Sequence, residues 1–260
     1  MKALRIFLVL IFFGTRSAGL AEESPKDIVC EGSYLGHLQG IAHDGNFFYW
    51  SHTVTLVKTD QQGQALIQVE VPSHHGDLTA VEDELYVAVE LGMFNQPAGQ
   101  SKPWIYLYDS DTLSLKRRKS VPQLVHGCGG IAYHEGRFLL VGGLPPTHQD
   151  NYLFEYDKDL NFIQKHSLPT GYTRLGVQTI DYVDNHWWLG CYGSPDNPGV
   201  LKVNAAFELV SHATTDFSYG VAVASGGAHV FQGLCFNDRT RGKLSLQAIS
   251  SIPFQSFSNP

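Results

Sequence analysis

The stretch GGIAYHEGRFLLVGG, residues 129–143, decides the fold. It opens with small residues and an aliphatic, runs a short apolar segment, and turns through His134, Glu135, Gly136 and Arg137. It then runs a second apolar segment, Phe138–Val141. Two short apolar runs parted by a polar, glycine-containing turn predict a β-hairpin. Working outward, the same phrase recurs as QGIAHDGNFFYWSH (39–52), GDLTAVEDELYVAV (76–89), QTIDYVDNHWWLGC (178–191) and, more weakly, YGVAVASGGAHVFQG (219–233). The aliphatic anchors Ile41, Leu78, Ile131, Ile180 and Val221 therefore stand 37, 53, 49 and 41 residues apart.

A second phrase follows each of the first four hairpins. TLVKTDQQGQALIQVEV, WIYLYDSDTLSLKRRKSV, YLFEYDKDLNFIQKHSL and GVLKVNAAFELVSHATT all alternate apolar residues, turn, and run out another strand. Asp60, Asp109, Asp157 and Asn204 occupy the equivalent turn position, where a short side chain accepts backbone N–H groups and closes a hairpin. Four short strands per unit, repeated at this period, predict an all-β, five-bladed β-propeller of four-stranded blades. The fifth unit ends after GKLSLQAI in a serine-rich tail and lacks an outer strand. Residues 26–35, KDIVCEGSYL, are the expected donor, closing the ring and covering an open sheet edge.

Of the 260 residues, 43% are hydrophobic and 17% charged, which fits a full apolar core and excludes a disordered chain. A net charge of −7 argues against nucleic acid as partner, because phosphate binding calls for a basic face. The one basic run, Lys116–Lys119, falls on an expected outer strand, where charge blocks edge pairing. Lys2 and Arg5 precede the apolar run Ile6–Phe13, and Gly19 and Ala21 offer a cleavage site, so residues 1–21 read as an export signal. That run is too short to span a bilayer, which takes about 20 residues. The expected product is residues 22–260, one soluble propeller domain exported to the periplasm or the extracellular space, and monomeric. Cys30, Cys128, Cys191 and Cys235 permit two disulfides in three pairings, but at this low density buried free thiols are the favoured expectation.

In this architecture the first strand of each blade lines the central channel. The loops leading into those strands share one face with the loops between second and third strands, and a ligand pocket is expected there. His37 and Gln39 lead into blade one, and His74, His75 and Asp77 into blade two. His126 and Cys128 lead into blade three, Gln178 into blade four and Tyr219 into blade five. His37, His75, Asp77 and His126 are expected to converge on the axis, at the face shared by the loops around Glu90, His148 and Asp196, and the blade-five loop there offers Arg239. Asp181 lies just inside the inner strand of blade four and needs a partner wherever it faces. Converging imidazoles can bind a transition metal or serve as general acid and base, with His75, Asp77 and His126 as catalytic candidates. They can equally do no more than cap strands. No HExxH spacing, GxSxG, phosphate-binding glycine loop or CxxC is present, so no cofactor is named by motif.

HHGDLTAVEDELYVAVE, WIYLYDSDTL and HGCGGIAYHEGRFLLVGG together resemble uncharacterised secreted bacterial propeller proteins with His-Gly-Gly/Asp motifs ahead of successive blades. LQGIAHDGNFFYWS is similar to a blade-opening phrase of the five-bladed glutamine cyclotransferases, which convert N-terminal glutamine to pyroglutamate. That resemblance implies the same fold. The chain departs from that family at Trp50, where the family has glutamate, and at GVQTID, where it has an acidic lead-in to blade four. Two functional classes are open. One is a binder of a small polar ligand, a sugar or peptide end, through His37, Gln39, His74, Glu90, His148, Gln178, Asp181, Tyr219 and Arg239. The other is an enzyme (a hydrolase, lyase or glutaminyl-cyclase-like transferase) using the histidines and Asp77.

Overall fold

Local turn chemistry sets the register of every sheet in the computed structural model, which describes residues 27–257. The expected export signal lies outside the described residues. Strand β1 (Ile28–Val29) comes first. Blade one holds β2 (Leu38–His43), β3 (Phe48–His52), β4 (Thr55–Thr59) and β5 (Ala65–Glu70), and blade two β6 (His75–Val81), β7 (Glu84–Glu90), β8 (Pro103–Asp109) and β9 (Leu115–Ser120). Blade three holds β10 (Cys128–His134), β11 (Arg137–Gly142), β12 (Asn151–Asp157) and β13 (Phe162–Leu168). Blade four holds β14 (Thr179–Val183), β15 (His186–Gly190), β16 (Val200–Val203) and β17 (Leu209–Ala213), and blade five β18 (Val221–Val223), β19 (His229–Cys235) and β20 (Gly242–Ala248). All neighbours within a blade pair antiparallel. The result is an all-β, five-bladed propeller.

The third turn of blades one to four forms as the Asx chemistry requires. Asp60 Oδ1 accepts the N–H groups of Gln62 and Gln64, each at 2.9 Å. Asp157 Oδ1 accepts those of Asp159 and Asn161, and Asn204 Oδ1 those of Ala206 and Glu208. Asp109 Oδ1 takes Asp111 and Thr112 in the same way. These side chains end hairpins and face solvent, away from any site. Strand β9, which carries the basic run, is exposed along its whole length.

The ring closes where the sequence lacks a strand. Ile28 pairs with Leu244 and Val29 with Lys243, so β1 supplies the outer strand of blade five. Only two residues pair as strand, but backbone bonds continue past them, Cys30 N–H to the Gly242 carbonyl at 3.0 Å and Tyr34 N–H to the Thr240 carbonyl at 2.7 Å, with Cys30 and Tyr34 buried in the seam between blades one and five. The C-terminal tail departs from expectation. Its β21 (Gln255–Ser256) adds to β17 and makes blade four five-stranded. Two residues carry no periodicity that a sequence reading can detect.

The core lies in the five seams between blades, one apolar cluster per seam. Trp50 and Trp188 are fully buried there. Each such side chain contributes about 1.5–3 kcal/mol relative to exposure. Near the axis the blades approach backbone to backbone. A Cβ on Gly40 would stand 2.4 Å from the Asp77 Cα, and one on Gly76 would stand 2.4 Å from the Gly129 carbonyl oxygen. The small residue opening each repeat is there because the inner strands meet. No helix among the described residues is long and apolar enough to cross a membrane. The four cysteines are free, three of them buried.

Candidate functional site

Five of the expected residues gather at the channel mouth framed by the lead-in loops. His37 is half-buried just ahead of β2, its backbone N–H held by Thr53 Oγ1. Gln39 Nε2 lies 2.8 Å from His37 Nε2 and 3.2 Å from Thr53 Oγ1. The amide nitrogen donates, so His37 Nε2 accepts and its proton sits on Nδ1. Burial first, then the charges of Arg239 and His74, push His37 down to about 4, so the ring is neutral at physiological pH. His74 is likewise lowered by burial, with Glu90 opposing the shift. The ring of Tyr219 meets His37 edge to face at 5.9 Å.

The group extends beyond the expected residues. Tyr192 stands edge to face with Tyr219, also at 5.9 Å. The Arg174 guanidinium carbon lies 5.7 Å from the Tyr192 ring centre. Asp216 is half-buried and accepts the Ser218 N–H at 2.8 Å and hydroxyl at 2.6 Å. Burial pushes the Asp216 carboxyl up while Ser218 and Arg174 pull against it. Burial raises Tyr192 to about 12 and raises Tyr219 as well, with Arg239 and Arg174 opposing both shifts. These two arginines are exposed, so the mouth offers two guanidiniums, two phenols and a neutral imidazole to solvent. Arg174, Tyr192 and Asp216 lay in loops with no repeat phrase, and only the fold brings them together.

Other expected residues stand elsewhere. His75 is fully buried; its Nδ1–H donates to the Pro72 carbonyl at 2.7 Å and its Nε2 accepts from the Tyr108 hydroxyl at 2.7 Å. Both ring nitrogens are occupied, and burial lowers the group to about 4. Asp77 is fully buried on the axis. Its Oδ2 accepts the Ile180 N–H at 2.9 Å, tying blade two to blade four. Burial raises its carboxyl well above the usual range, with Asp181 adding to the shift. Neither residue reaches the mouth, so the expected convergence of His37, His75, Asp77 and His126 does not form. Strand β6 begins at His75, so His75 and Asp77, two residues apart, point to the same side of the strand and are held in buried hydrogen bonds.

Glu90 also faces inward. Its carboxylate accepts from Gly92 N and Lys102 N at 2.6 Å, Ser101 Oγ at 2.7 Å and Cys128 N at 3.4 Å, which clamps the 91–102 loop. His126 donates from Nδ1 to the Gln96 carbonyl at 2.9 Å and meets His148 at 4.7 Å between ring centres, a separate pair over blade three. Gln178 is buried and donates to the Leu175 carbonyl. Asp181 faces the opposite end of the channel, among Thr79, His43 and Val223. Among the described residues, no group of three or more His, Cys, Asp or Glu side chains is placed to hold a metal ion.

No protein-family model matches the chain. No curated protein matches it either. Among solved structures, the glutaminyl cyclase of Myxococcus xanthus superposes with a TM-score of 0.60 at 12% identity, covering 91% of this chain and 97% of that one. The hydrazine synthase of Kuenenia stuttgartiensis gives 0.49 at 12% identity, covering 74% of this chain and 60% of that one. The first likeness shows the five-bladed fold.

Proposed function

We propose that the mouth formed by His37, Gln39, His74, Arg174, Tyr192, Tyr219 and Arg239 binds a small polar ligand, a peptide end or an acidic sugar, outside the cytoplasm. The observation that carries this reading is the pairing of two exposed guanidiniums with the Tyr192–Tyr219 aromatic corner. Guanidiniums hold a carboxylate through paired N–H donors, and aromatic faces pack the apolar remainder. Neutral His37, fixed by Gln39, supplies a directed donor at its Nδ1. The binding is read as non-catalytic. A base that ionises near 4 has little drive to take a proton at neutral pH, and His75 and Asp77 are out of reach.

A glutaminyl-cyclase-like activity is the second reading, favoured by the fold shared with the Myxococcus xanthus enzyme. One experiment addresses both. The dipeptide Gln–Gly presents an amine, a side-chain amide and a carboxylate. Calorimetric titration reads its binding, and release of ammonia reads its cyclisation. Saturable binding without ammonia, weakened at least tenfold by Arg239→Ala, supports the first reading. Ammonia release abolished by the same substitution supports the second. Absence of binding by both Gln–Gly and glucuronate rejects the site.

A further inference from the structure

The far end of the channel is a different chamber. Inner-strand residues of all five blades line a funnel of about 240 Å³, among them His43, Thr79, His134, Asp181, Tyr182 and Val223. That space admits several waters or a small organic ion. No lysine or arginine lines it. Its one carboxylate, Asp181, accepts the N–H of Tyr182 at 2.8 Å and of Val223 at 2.9 Å. Those two donors leave half the acceptor capacity of the carboxylate open and supply no countercharge. His134 cannot serve as the cation at no cost, since it lies flat on Tyr182 at 3.5 Å and approaches Glu135 instead. His43 is stacked against Phe48 and lowered by burial.

A second acid stands close by. Asp77 lies against the same strand of blade four, on Ile180 next to Asp181. Its Oδ1 is buried with no hydrogen-bond partner among the described residues. Asp77 lies outside the funnel lining, and the lining itself holds one carboxylate, two imidazoles and no lysine or arginine. A partly buried carboxylate without a countercharge is costly unless it takes up a proton or a cation joins it.

We propose that this funnel is a binding site for a small primary ammonium ion, with Asp181 as its anchor and the His134–Tyr182 stack as its aromatic flank. An alkylammonium suits the chamber better than a hydrated metal ion. Its N–H donors match the open carboxylate lone pairs, and its methyl end packs on aromatic and aliphatic walls.

The test uses the full exported chain and methylammonium as probe, read by amide chemical shifts. The Val223 and Tyr182 N–H groups, both bonded to Asp181, are built-in reporters. At pH 7.5 both should shift saturably, with millimolar affinity. Asp181→Asn should weaken binding at least tenfold, and Thr79→Leu, which fills the funnel without touching the carboxylate, should do the same. Below pH 6 affinity should fall, because Asp181 ionises at about 6. The other titratable groups facing it are His43, Asp77, Tyr133, His134 and Tyr182. The proposal is overturned by the absence of a saturable shift, by unchanged affinity in Thr79→Leu, or by binding of calcium in place of methylammonium. Should Asp181→Asn fail to fold, Thr79→Leu and the pH series still decide the matter.

Discussion

The two ends of the propeller axis are built from different material. At the lead-in end the functional groups ride on loops. His37 and His74 precede their strands, Arg174 and Tyr219 sit in long connections, and Arg239 projects from the turn after β19. At the far end the groups belong to the strands themselves, and Asp181 is fixed by backbone N–H groups of two adjacent blades. Between them, Asp77 and the glycines close the axis by packing. Loops of unequal length can gather unlike residues from distant parts of the chain, so chemistry concentrates at the lead-in end. Strand ends are more uniform, and one acid there stands out because nothing offsets it.

This division orders the expected effects. The largest should come from removing residues 27–36. Loss of β1 exposes the edge of β20 and uncovers Cys30 and Tyr34, which should cost about 3–6 kcal/mol at ~1.5–3 kcal/mol per buried side chain. Chemical denaturation measures it directly, and an unchanged midpoint would remove the closure from the account. Next is His75→Ala. It empties a buried volume and strands the Tyr108 hydroxyl and the Pro72 carbonyl, so about 2–4 kcal/mol should be lost. Affinity of the remaining folded protein for Gln–Gly should not change. A stable variant that no longer binds would move the site inward and erase the distinction between mouth and axis.

Stability should also depend on pH in a way that separates the buried acids from the buried histidines. His37, His52 and His75 each fall from 6.5 to about 4 on folding. The unfolded chain binds their protons first, so their contribution is complete above about 6.5 and is lost as pH falls towards 4. Asp77 and Asp181 are raised on folding, so their contribution is complete below the ordinary carboxyl range and fades as pH rises through it, for Asp181 up to about 6. The two slopes oppose each other between about 4 and 6. Asp181→Asn should remove the Asp181 share of the acid slope and make acid unfolding steeper in that window; an unchanged slope in a melting series would contradict its assignment.

Tyr219→Ala and Arg239→Ala should leave stability within about 1 kcal/mol of wild type while reducing Gln–Gly affinity at least tenfold, since both residues lie at the open mouth. The smallest effect belongs to the outer strand. Lys119→Gln, on fully exposed β9, should change stability by less than about 0.5 kcal/mol and binding not at all.

What the sequence revealed follows the range of the interactions involved. The hairpins, the Asx turns at Asp60, Asp109, Asp157 and Asn204, and the missing outer strand all depend on neighbours within a few residues or on counting strands. The face carrying the lead-in loops was legible for the same reason. Side-chain direction was not. His74 and His75 are adjacent, yet one opens to the mouth while the other is enclosed by Tyr106 and Tyr108. Glu90 sits at a strand end facing the expected pocket, but four donors from its own loop and β10 turn it inward. Tyr192 shares the loop of Asp196 on the expected face, but Arg174 and Asp216 carried no signal, because the proximity of the three exists only once blades four and five are side by side.

The central claim is that the ligand site lies at the lead-in mouth while His75 and Asp77 hold the ring together. Amide shift mapping of the wild-type chain during titration with Gln–Gly tests it most directly. Saturable shifts should cluster at His37, His74, Arg174, Tyr192, Tyr219 and Arg239, with Ile180, bonded to Asp77, unmoved. Shifts centred on the His126–His148 pair or on Ile180, or none at saturating peptide, would contradict the account.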